Sequence, residues 1–120
     1  RRDRRRVVIN PGPPLSIEGA QGAVGQALDV LLWNATKHGK GTVTIDLGVR
    51  GRWAELTVGD EGSLNADDAD TLFTSEPRGT HGIGLPLARR IIESESGQLV
   101  ITSTSPTTFR IRLPLSTEAP

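Results

Sequence analysis

The stretches that decide the fold are NATKH at residues 34–38 and HGIGL at residues 81–85, with DEG at residues 60–62 between them. In the first stretch, an amide and two basic side chains are three and four residues apart, so they emerge on one face of a helix. In the last, glycines directly before a helix leave backbone N–H groups bare for an anion. Together the three stretches predict a nucleotide pocket.

Two helices are predicted from apolar residues that recur at helical spacing. The first covers about 19–38 and ends at Gly39 and Gly41, and the second covers 82–96 and ends at Gly97. Glycine is typical just after a helix, because it adopts the left-handed conformation at little cost.

Alternation of apolar and polar residues predicts two hairpins. A separate short strand is predicted before the Pro-Gly-Pro-Pro at 11–14, which cannot continue a strand ladder. A polar loop over 59–81, with a short helical patch at 67–73, separates the hairpins. The order strand, helix, hairpin, loop, helix, hairpin predicts an α+β fold: a two-layer α/β sandwich with a mixed, mostly antiparallel sheet and its helices on one face. The predicted strands are 6–10, then 43–49 with 54–58, then those on either side of Pro106.

The composition limits the function classes. The 120 residues predict one domain, and 14 basic against 14 acidic side chains leave no net charge to attract nucleic acid or anionic lipid. The absence of cysteine excludes disulfides and thiolate metal sites and favours an intracellular setting. We interpret the arginine-rich start, at 1–6, as the lead-in from an upstream segment rather than as an arm for nucleic acid or membrane, and we expect a disordered tail at 116–120.

Each candidate site residue has a chemical reason and a simpler alternative. The Asn34 amide oxygen suits Mg²⁺, and Lys37 and His38 can donate to phosphate oxygens, but the three could equally form a solvated helix end. Asp60 can accept from the amino group of a base, and Gly62 lets a flat ring approach the backbone, but Asp-Glu-Gly is also an ordinary turn. The Gly-x-Gly at 82–84 follows a loop rather than a strand and lacks Gly-Lys-Ser/Thr, which excludes the Rossmann and P-loop patterns.

In this order and spacing, the stretches resemble the catalytic ATP-binding domain of bacterial two-component sensor histidine kinases. These domains have the Bergerat fold and belong to the gyrase, Hsp90, histidine kinase and MutL (GHKL) superfamily. The resemblance identifies residues 1–115 as a histidine kinase-like ATP-binding domain. It is carried by the first strand at 7–13, the N-box at 31–38, the first glycine box at 58–62, the phenylalanine box at 71–73, the second glycine box with its helix at 81–99, and the closing strand at 107–114.

The resemblance also implies the ligands and a role for each site residue. Asn34 would bind Mg²⁺, Asp60 would hold the adenine amino group, and Thr107 would lie near the adenine. A short lid at 74–81 would close over the phosphates. The residues implied to bind ATP and Mg²⁺ are Asn34, Lys37, His38, Asp60, Gly62, Gly82, Ile83, Gly84, Leu85 and Thr107.

Two positions depart from the family pattern. Val30 stands one turn before Asn34, where the ATP-hydrolysing branches have a glutamate that activates water, so we expect a poor ATPase. Leu64 stands where the first glycine box has its second glycine, so we expect weaker adenine binding or a different path of the loop.

The function implied is that of the ATP-binding half of a protein-histidine kinase. No catalytic residue is expected in this chain, because the phosphoacceptor histidine would lie on a separate dimerisation domain of the same parent protein. The partners are then that domain and, indirectly, a response regulator, but no nucleic acid. We expect a cytoplasmic location, with the parent anchored in the bacterial inner membrane. Two alternatives remain: a serine kinase acting on an anti-sigma-factor antagonist, and a degenerate module that works through protein contacts.

Overall fold

Strands and helices follow one another along the chain in the predicted order. The computed structural model describes residues 7–10, 21–65, 67, 72–73 and 84–115. Within these residues the elements are β1 (Val7–Asn10), α1 (Gln21–His38), β2 (Val43–Arg50), β3 (Trp53–Gly59), α2 (Gly84–Ser94), β4 (Gln98–Thr104) and β5 (Thr107–Pro114).

The described strands form a single mixed sheet in the order β1-β2-β3-β5-β4. β1 pairs with β2 in parallel, and the other neighbours are antiparallel. A parallel pair needs a crossover connection between its strands, and α1 lies in that connection. Short turns join β2 to β3 and β4 to β5 within the two hairpins. The predicted fold class, a sandwich with a mostly antiparallel sheet, is therefore confirmed.

Both helices pack on the same face of the sheet. The strand register places Ile45, Val58 and Phe109 side by side in one row on that face. α1 contacts α2 and β3, and α2 contacts β4. The buried core that results consists of Ala27, Leu31, Ala35, Val43, Ile45, Val58, Leu85, Ala88, Ile92, Leu99, Phe109, Ile111 and Leu113.

The end of α2 differs in one detail from the sequence prediction. The residue in the left-handed conformation is Ser96, with φ 68°, and not Gly97. The Ser96 N–H donates to the Glu93 carbonyl oxygen and the Gly97 N–H to the Ile92 carbonyl oxygen, which is the pattern of a Schellman cap. Gly97 is needed for space, because a Cβ there would collide with the carbonyl oxygen of Arg112 on β5.

Several predicted segments lie outside the described residues. They are the arginine run, the beginning of the first helix at 19–20, most of the helical patch at 67–73, the lid at 74–81 and the tail at 116–120. Among the residues that are described, no helix is both long and apolar enough to span a bilayer.

Candidate functional site

A cavity of about 470 Å³ opens between the end of α1, the segment after β3 and the start of β5. Its volume is in the range of pockets that hold small ligands. Five of the predicted site residues, from three separate parts of the chain, line this one cavity. The lining residues are Asn34, His38, Gly39, Asp60, Gly62, Ser63, Leu64, Leu72, Thr107 and Phe109.

Asp60 provides a buried carboxylate at one end of the cavity. The residue is only 7% exposed. Its Oδ1 accepts the Gly62 N–H at 2.6 Å and the Lys40 N–H at 3.3 Å, so the backbone holds the side chain in one orientation. Its Oδ2 has no hydrogen-bond donor among the described residues. An acceptor that is held rigidly at a cavity wall is suited to the amino group of a ligand.

Two glycines make room for the Asp60 carboxylate. A Cβ on Gly62 would lie 2.9 Å from Asp60 Oδ1, and a Cβ on Gly39 would collide with Asp60 Oδ2. Both contacts would be closer than a Cβ tolerates, so Gly39 and Gly62 cannot be replaced by a larger residue without moving the Asp60 side chain. Gly39 was expected from the sequence only to end α1, and its contact with Asp60 appears only in the folded chain.

Backbone hydrogen bonds between the two chain segments continue beyond the end of β3, where these segments line the cavity. The Asp60 N–H donates to the Thr107 carbonyl oxygen at 3.0 Å, and the Thr107 N–H donates to the Gly62 carbonyl oxygen at 2.9 Å. The Leu64 N–H then donates to the Thr104 carbonyl oxygen at 2.8 Å. The segment after β3 is therefore fixed against the β4–β5 hairpin, which places Thr107, itself 7% exposed, beside Asp60.

The other end of the cavity is formed by the last turns of α1. The Asn34 side chain donates from Nδ2 to the Val30 carbonyl oxygen at 2.9 Å, which leaves its Oδ1 as the acceptor available to a ligand. His38 follows one turn later and also lines the cavity. Two of the three residues predicted on this helix face, Asn34 and His38, therefore line the cavity.

The remaining predicted residues occupy other places. Lys37 does not line the cavity, and its Nζ lies 4.9 Å from the centroid of the Trp33 ring. Leu85 is 1% exposed and belongs to the core beneath the site. Gly84 begins α2 and faces Val30, whose Cγ1 would lie 3.0 Å from an added Cβ. Gly82 and Ile83 lie outside the described residues.

An apolar wall of the cavity was not recognised as part of the site from the sequence. It consists of Leu64, Leu72 and Phe109. The Phe73 ring meets Phe109 edge to face at 6.2 Å, and the Arg89 guanidinium lies 4.7 Å from the centroid of Phe73. The alternation after Pro106 predicts a strand that contains Phe109, but no sequence signal shows that this residue lies at a cavity. Leu64, which replaces the second glycine of the first glycine box, supplies apolar contact area in this wall.

Magnesium is implied by the resemblance, and the donor set fits it. Mg²⁺ prefers hard oxygen ligands and keeps waters and phosphates as most of its other ligands, so one amide oxygen is an adequate protein contribution. Asn34 Oδ1 is such an oxygen at the cavity wall. No cluster of three or more His, Asp or Glu that would suggest a metal centre of another type occurs in the part of the chain that the structure describes.

A cavity with a fixed carboxylate at one end, an apolar wall and an amide with a histidine at the other is suited to a nucleotide. The family described as histidine kinase-, DNA gyrase B- and HSP90-like ATPase matches residues 19–117. The chain belongs to this family of ATP-binding domains, which confirms the resemblance seen in the sequence motifs. None of the curated proteins with which the sequence was compared matches it.

Solved structures of sensor histidine kinases have the same fold. The mycobacterial sensor histidine kinase MprB is 23% identical, with a TM-score of 0.73 over 92% of this chain and 80% of that one. Acinetobacter baumannii AdeS is 21% identical, with a TM-score of 0.71 over 94% of this chain and 54% of that one. Full-length ShkA in complex with AMPPNP is 20% identical, with a TM-score of 0.77 over 96% of this chain and 26% of that one. The chain therefore spans about half of the AdeS chain and a quarter of the ShkA chain.

Proposed function

We propose that this chain binds Mg·ATP and donates the γ-phosphoryl group to a histidine on a separate dimerisation domain of the same parent protein. This reaction is the autophosphorylation step of two-component signalling. The observation that carries the proposal is the single cavity that joins Asp60, Gly62 and Thr107 at one end to Asn34 and His38 at the other.

The two ends of the cavity would bind different parts of the nucleotide. Asp60 Oδ2 would accept a hydrogen bond from the adenine amino group, while the apolar wall would cover one face of the ring. His38 would donate to phosphate oxygens, and Asn34 Oδ1 would hold the metal. Mg²⁺, when bound, supplies charge neutralisation on the phosphates, and the chain supplies the positioning on which phosphoryl transfer mostly depends.

Val30 explains why the acceptor should be a protein group rather than water. Its side chain carries only methyl groups, and its carbonyl oxygen already accepts the Asn34 Nδ2–H. Val30 cannot take a proton from an attacking water, and the carboxylate of the neighbouring Asp29 lies about 100° around the helix from it. We therefore expect ATP hydrolysis by the chain alone to stay near the uncatalysed background. We also propose a cytoplasmic location, because both ATP and a response regulator are found there.

The first test is nucleotide binding to the 120-residue chain. In isothermal titration with Mg·AMPPNP we expect saturable binding to the wild type and a loss of at least about tenfold in affinity for Asn34→Ala, since tenfold corresponds to about 1.4 kcal/mol. Gln26→Ala is the matched control, because Gln26 is exposed on the same helix and does not line the cavity. No binding at millimolar nucleotide would overturn the proposal.

The second test identifies the acceptor. The chain is mixed with the phosphoacceptor domain of its parent protein and radiolabelled Mg·ATP, and the product is treated with acid. Loss of the label in acid supports a phosphohistidine, whereas a label that survives acid supports the alternative of a serine kinase. Nucleotide binding without any labelling would support the degenerate module.

A further inference from the structure

Arg89 of α2 holds its charged group over an aromatic ring. Its guanidinium lies 4.7 Å from the centroid of the Phe73 ring, within the distance at which a cation is attracted to the face of a ring. Arg89 also pairs with Glu93, one turn further along α2, whose Oε2 lies 3.4 Å from Arg89 Nε. The two side chains of this pair are 40% and 54% exposed, and an exposed ion pair contributes little to stability. The ring contact is therefore the more significant of the two interactions.

Phe73 connects this helix to the wall of the cavity. Its ring meets the Phe109 ring edge to face, with 6.2 Å between the centroids and 80° between the ring planes, which is a favourable arrangement of two aromatic rings. Phe109 is 5% exposed and lines the cavity, and so does Leu72, the residue before Phe73. Neither Arg89 nor Phe73 lines the cavity itself. A continuous row of contacts thus leads from the surface of α2 through Phe73 to the cavity.

The position of Phe73 depends on its side-chain contacts. Leu72 and Phe73 lie in a turn and not in a helix or strand, so no ladder of helix or sheet hydrogen bonds fixes them. Both are only partly buried against the hydrophobic core. A partly buried ring in a turn is less constrained than a core residue, so loss of the cation over its face should allow Phe73 more than one position.

We propose that Arg89 is a positioning residue for the nucleotide, because it holds Phe73 and thereby the apolar wall that covers the adenine. This inference rests on the proposed function, in which that wall covers one face of the adenine ring. A wall that is fixed before the ligand arrives loses less conformational freedom on binding, so the ligand is bound more tightly. Arg89 should therefore affect nucleotide affinity without touching the nucleotide.

A direct contact of Arg89 with the phosphates is the alternative role. Arginine is well suited to phosphate oxygens. Here, however, the guanidinium already has a ring face and a carboxylate as partners, and Arg89 does not line the cavity. The two roles differ in what they predict for adenosine, which has no phosphate. A residue that positions the adenine wall should affect adenosine and Mg·AMPPNP equally, whereas a phosphate ligand should affect only Mg·AMPPNP.

The binding test is isothermal titration of the wild type and of Arg89→Gln with Mg·AMPPNP and with adenosine. We expect Arg89→Gln to weaken the binding of both ligands by the same factor, about threefold to tenfold, since a cation over a ring contributes modestly. Two control variants should bind as the wild type does. Glu93→Gln breaks the ion pair with Arg89 but leaves the ring contact, and Arg90→Gln removes the same charge from an exposed position of α2.

A double-mutant cycle tests whether the effect passes through the ring. Phe73→Leu removes the ring on which Arg89 is proposed to act, so this variant should also weaken the binding of both ligands. Residues in contact have effects that do not add. Arg89→Gln should therefore add little to the loss of affinity when it is combined with Phe73→Leu.

Fluorine NMR gives a readout that needs no nucleotide. The chain contains only two phenylalanines, Phe73 and Phe109, so labelling with 4-fluorophenylalanine gives one resonance for each, and Phe73→Leu assigns them. We expect Arg89→Gln to shift both resonances, because the guanidinium contacts the first ring and the first ring contacts the second. Arg90→Gln should shift neither.

The outcomes separate the positioning role of Arg89 from the proposed function. If the wild type binds neither ligand, the proposed function fails and the positioning role fails with it. If the wild type binds and Arg89→Gln binds equally well, or if a control variant is weakened as much as Arg89→Gln, only the positioning role is overturned. A loss confined to Mg·AMPPNP, additive losses in the cycle, or unshifted resonances in Arg89→Gln would overturn it as well.

Discussion

At the scale of single residues, the site depends on how the backbone holds the Asp60 side chain. Two N–H groups orient Oδ1, and the lack of a Cβ at Gly39 and Gly62 makes room for the carboxylate. Oδ2 is left as the group that a ligand can use. Substitutions at these positions should therefore separate ligand recognition from folding.

Asp60→Asn should reduce ATP affinity while the fold is kept. The amide oxygen can still accept the two backbone N–H groups, but an NH₂ group would replace the acceptor Oδ2 and face the adenine amino group. Hydrogen bonds to charged groups contribute about 1.5–3 kcal/mol, so we expect a loss of about 10- to 100-fold in titrations with Mg·AMPPNP. Asp29→Asn, the same change at an exposed position of α1, should have no effect. Equal affinity of the wild type and Asp60→Asn would refute the adenine assignment.

Gly39→Ala should disturb both the fold and the site. The added methyl group would collide with the Asp60 carboxylate and would lie 2.6 Å from the Ala35 carbonyl oxygen. We expect a loss of about 1–3 kcal/mol in the free energy of unfolding, measured by urea denaturation, together with weaker ATP binding. Gly25→Ala is the control. Its Cβ meets no atom within 4 Å, and alanine favours the helix interior, so this change should stabilise the chain by up to about 1 kcal/mol.

At the scale of elements, the contact between α1 and α2 determines where the beginning of α2 lies. Gly84 begins α2 and faces Val30, and the same turn of α1 orients Asn34 through the Val30 carbonyl oxygen. Val30 thus contacts the beginning of α2 through its side chain and orients the Asn34 amide through its carbonyl oxygen.

The Val30–Gly84 contact can be tested with a double-mutant cycle. A Cβ on Gly84 would lie 3.0 Å from Val30 Cγ1, so Gly84→Ala should reduce stability and ATP affinity. Val30→Ala removes the obstructing methyl groups, so the double variant should lose less than the sum of the single variants. Interaction energies between residues in contact are about 0.5–3 kcal/mol. Strict additivity in urea denaturation would show that the two positions are not coupled.

The Schellman cap of α2 offers a stabilising substitution. Ser96 has φ 68°, a conformation that disfavours a residue with a Cβ by about 1 kcal/mol or more. Ser96→Gly should therefore raise the melting temperature by a few degrees in calorimetry. Gly97→Ala, one residue further on, should lower it, because its Cβ would collide with the Arg112 carbonyl oxygen. An unchanged melting temperature for Ser96→Gly would contradict the assigned strain.

At the scale of the whole molecule, one core joins the helices to the sheet. It draws on Leu31 of α1, Ile92 of α2 and Ile111 of β5, each at most 1% exposed. Neither layer can bury its apolar face without the other, so the chain should unfold as a unit.

Unfolding should therefore give coincident transitions for the helices and the environment of the tryptophans. Circular dichroism at 222 nm follows the helices, while tryptophan fluorescence reports Trp33 on α1 and Trp53 on the sheet. Mg·AMPPNP at 100 times its dissociation constant should stabilise the folded state by about 2.7 kcal/mol and shift both curves together. If the two probes give different midpoints, the single cooperative core is wrong.

Much of the fold was predictable because its signals are local. The alternation at 43–49 and 54–58 and the helical spacing at 19–38 each require only neighbours in sequence, and the sheet and α1 follow them closely. The position of the Lys37 side chain could not be predicted from local spacing. Its spacing on the helix predicts a phosphate contact, but its long side chain lies over Trp33 instead. That contact role stays a prediction, as do the roles of Gly82 and Ile83.

The sequence by itself determined the element order, the two-layer architecture and the identity of Asn34, His38, Asp60 and Gly62 as candidate site residues, because each is marked by spacing or by a turn. Thr107 was implied only by the family resemblance. Only the tertiary structure revealed the apolar wall and the close contact of Gly39 with Asp60. These features depend on which strands are neighbours and on the register between them. Strand order and register arise from contacts between residues far apart in the chain, and no local pattern records them.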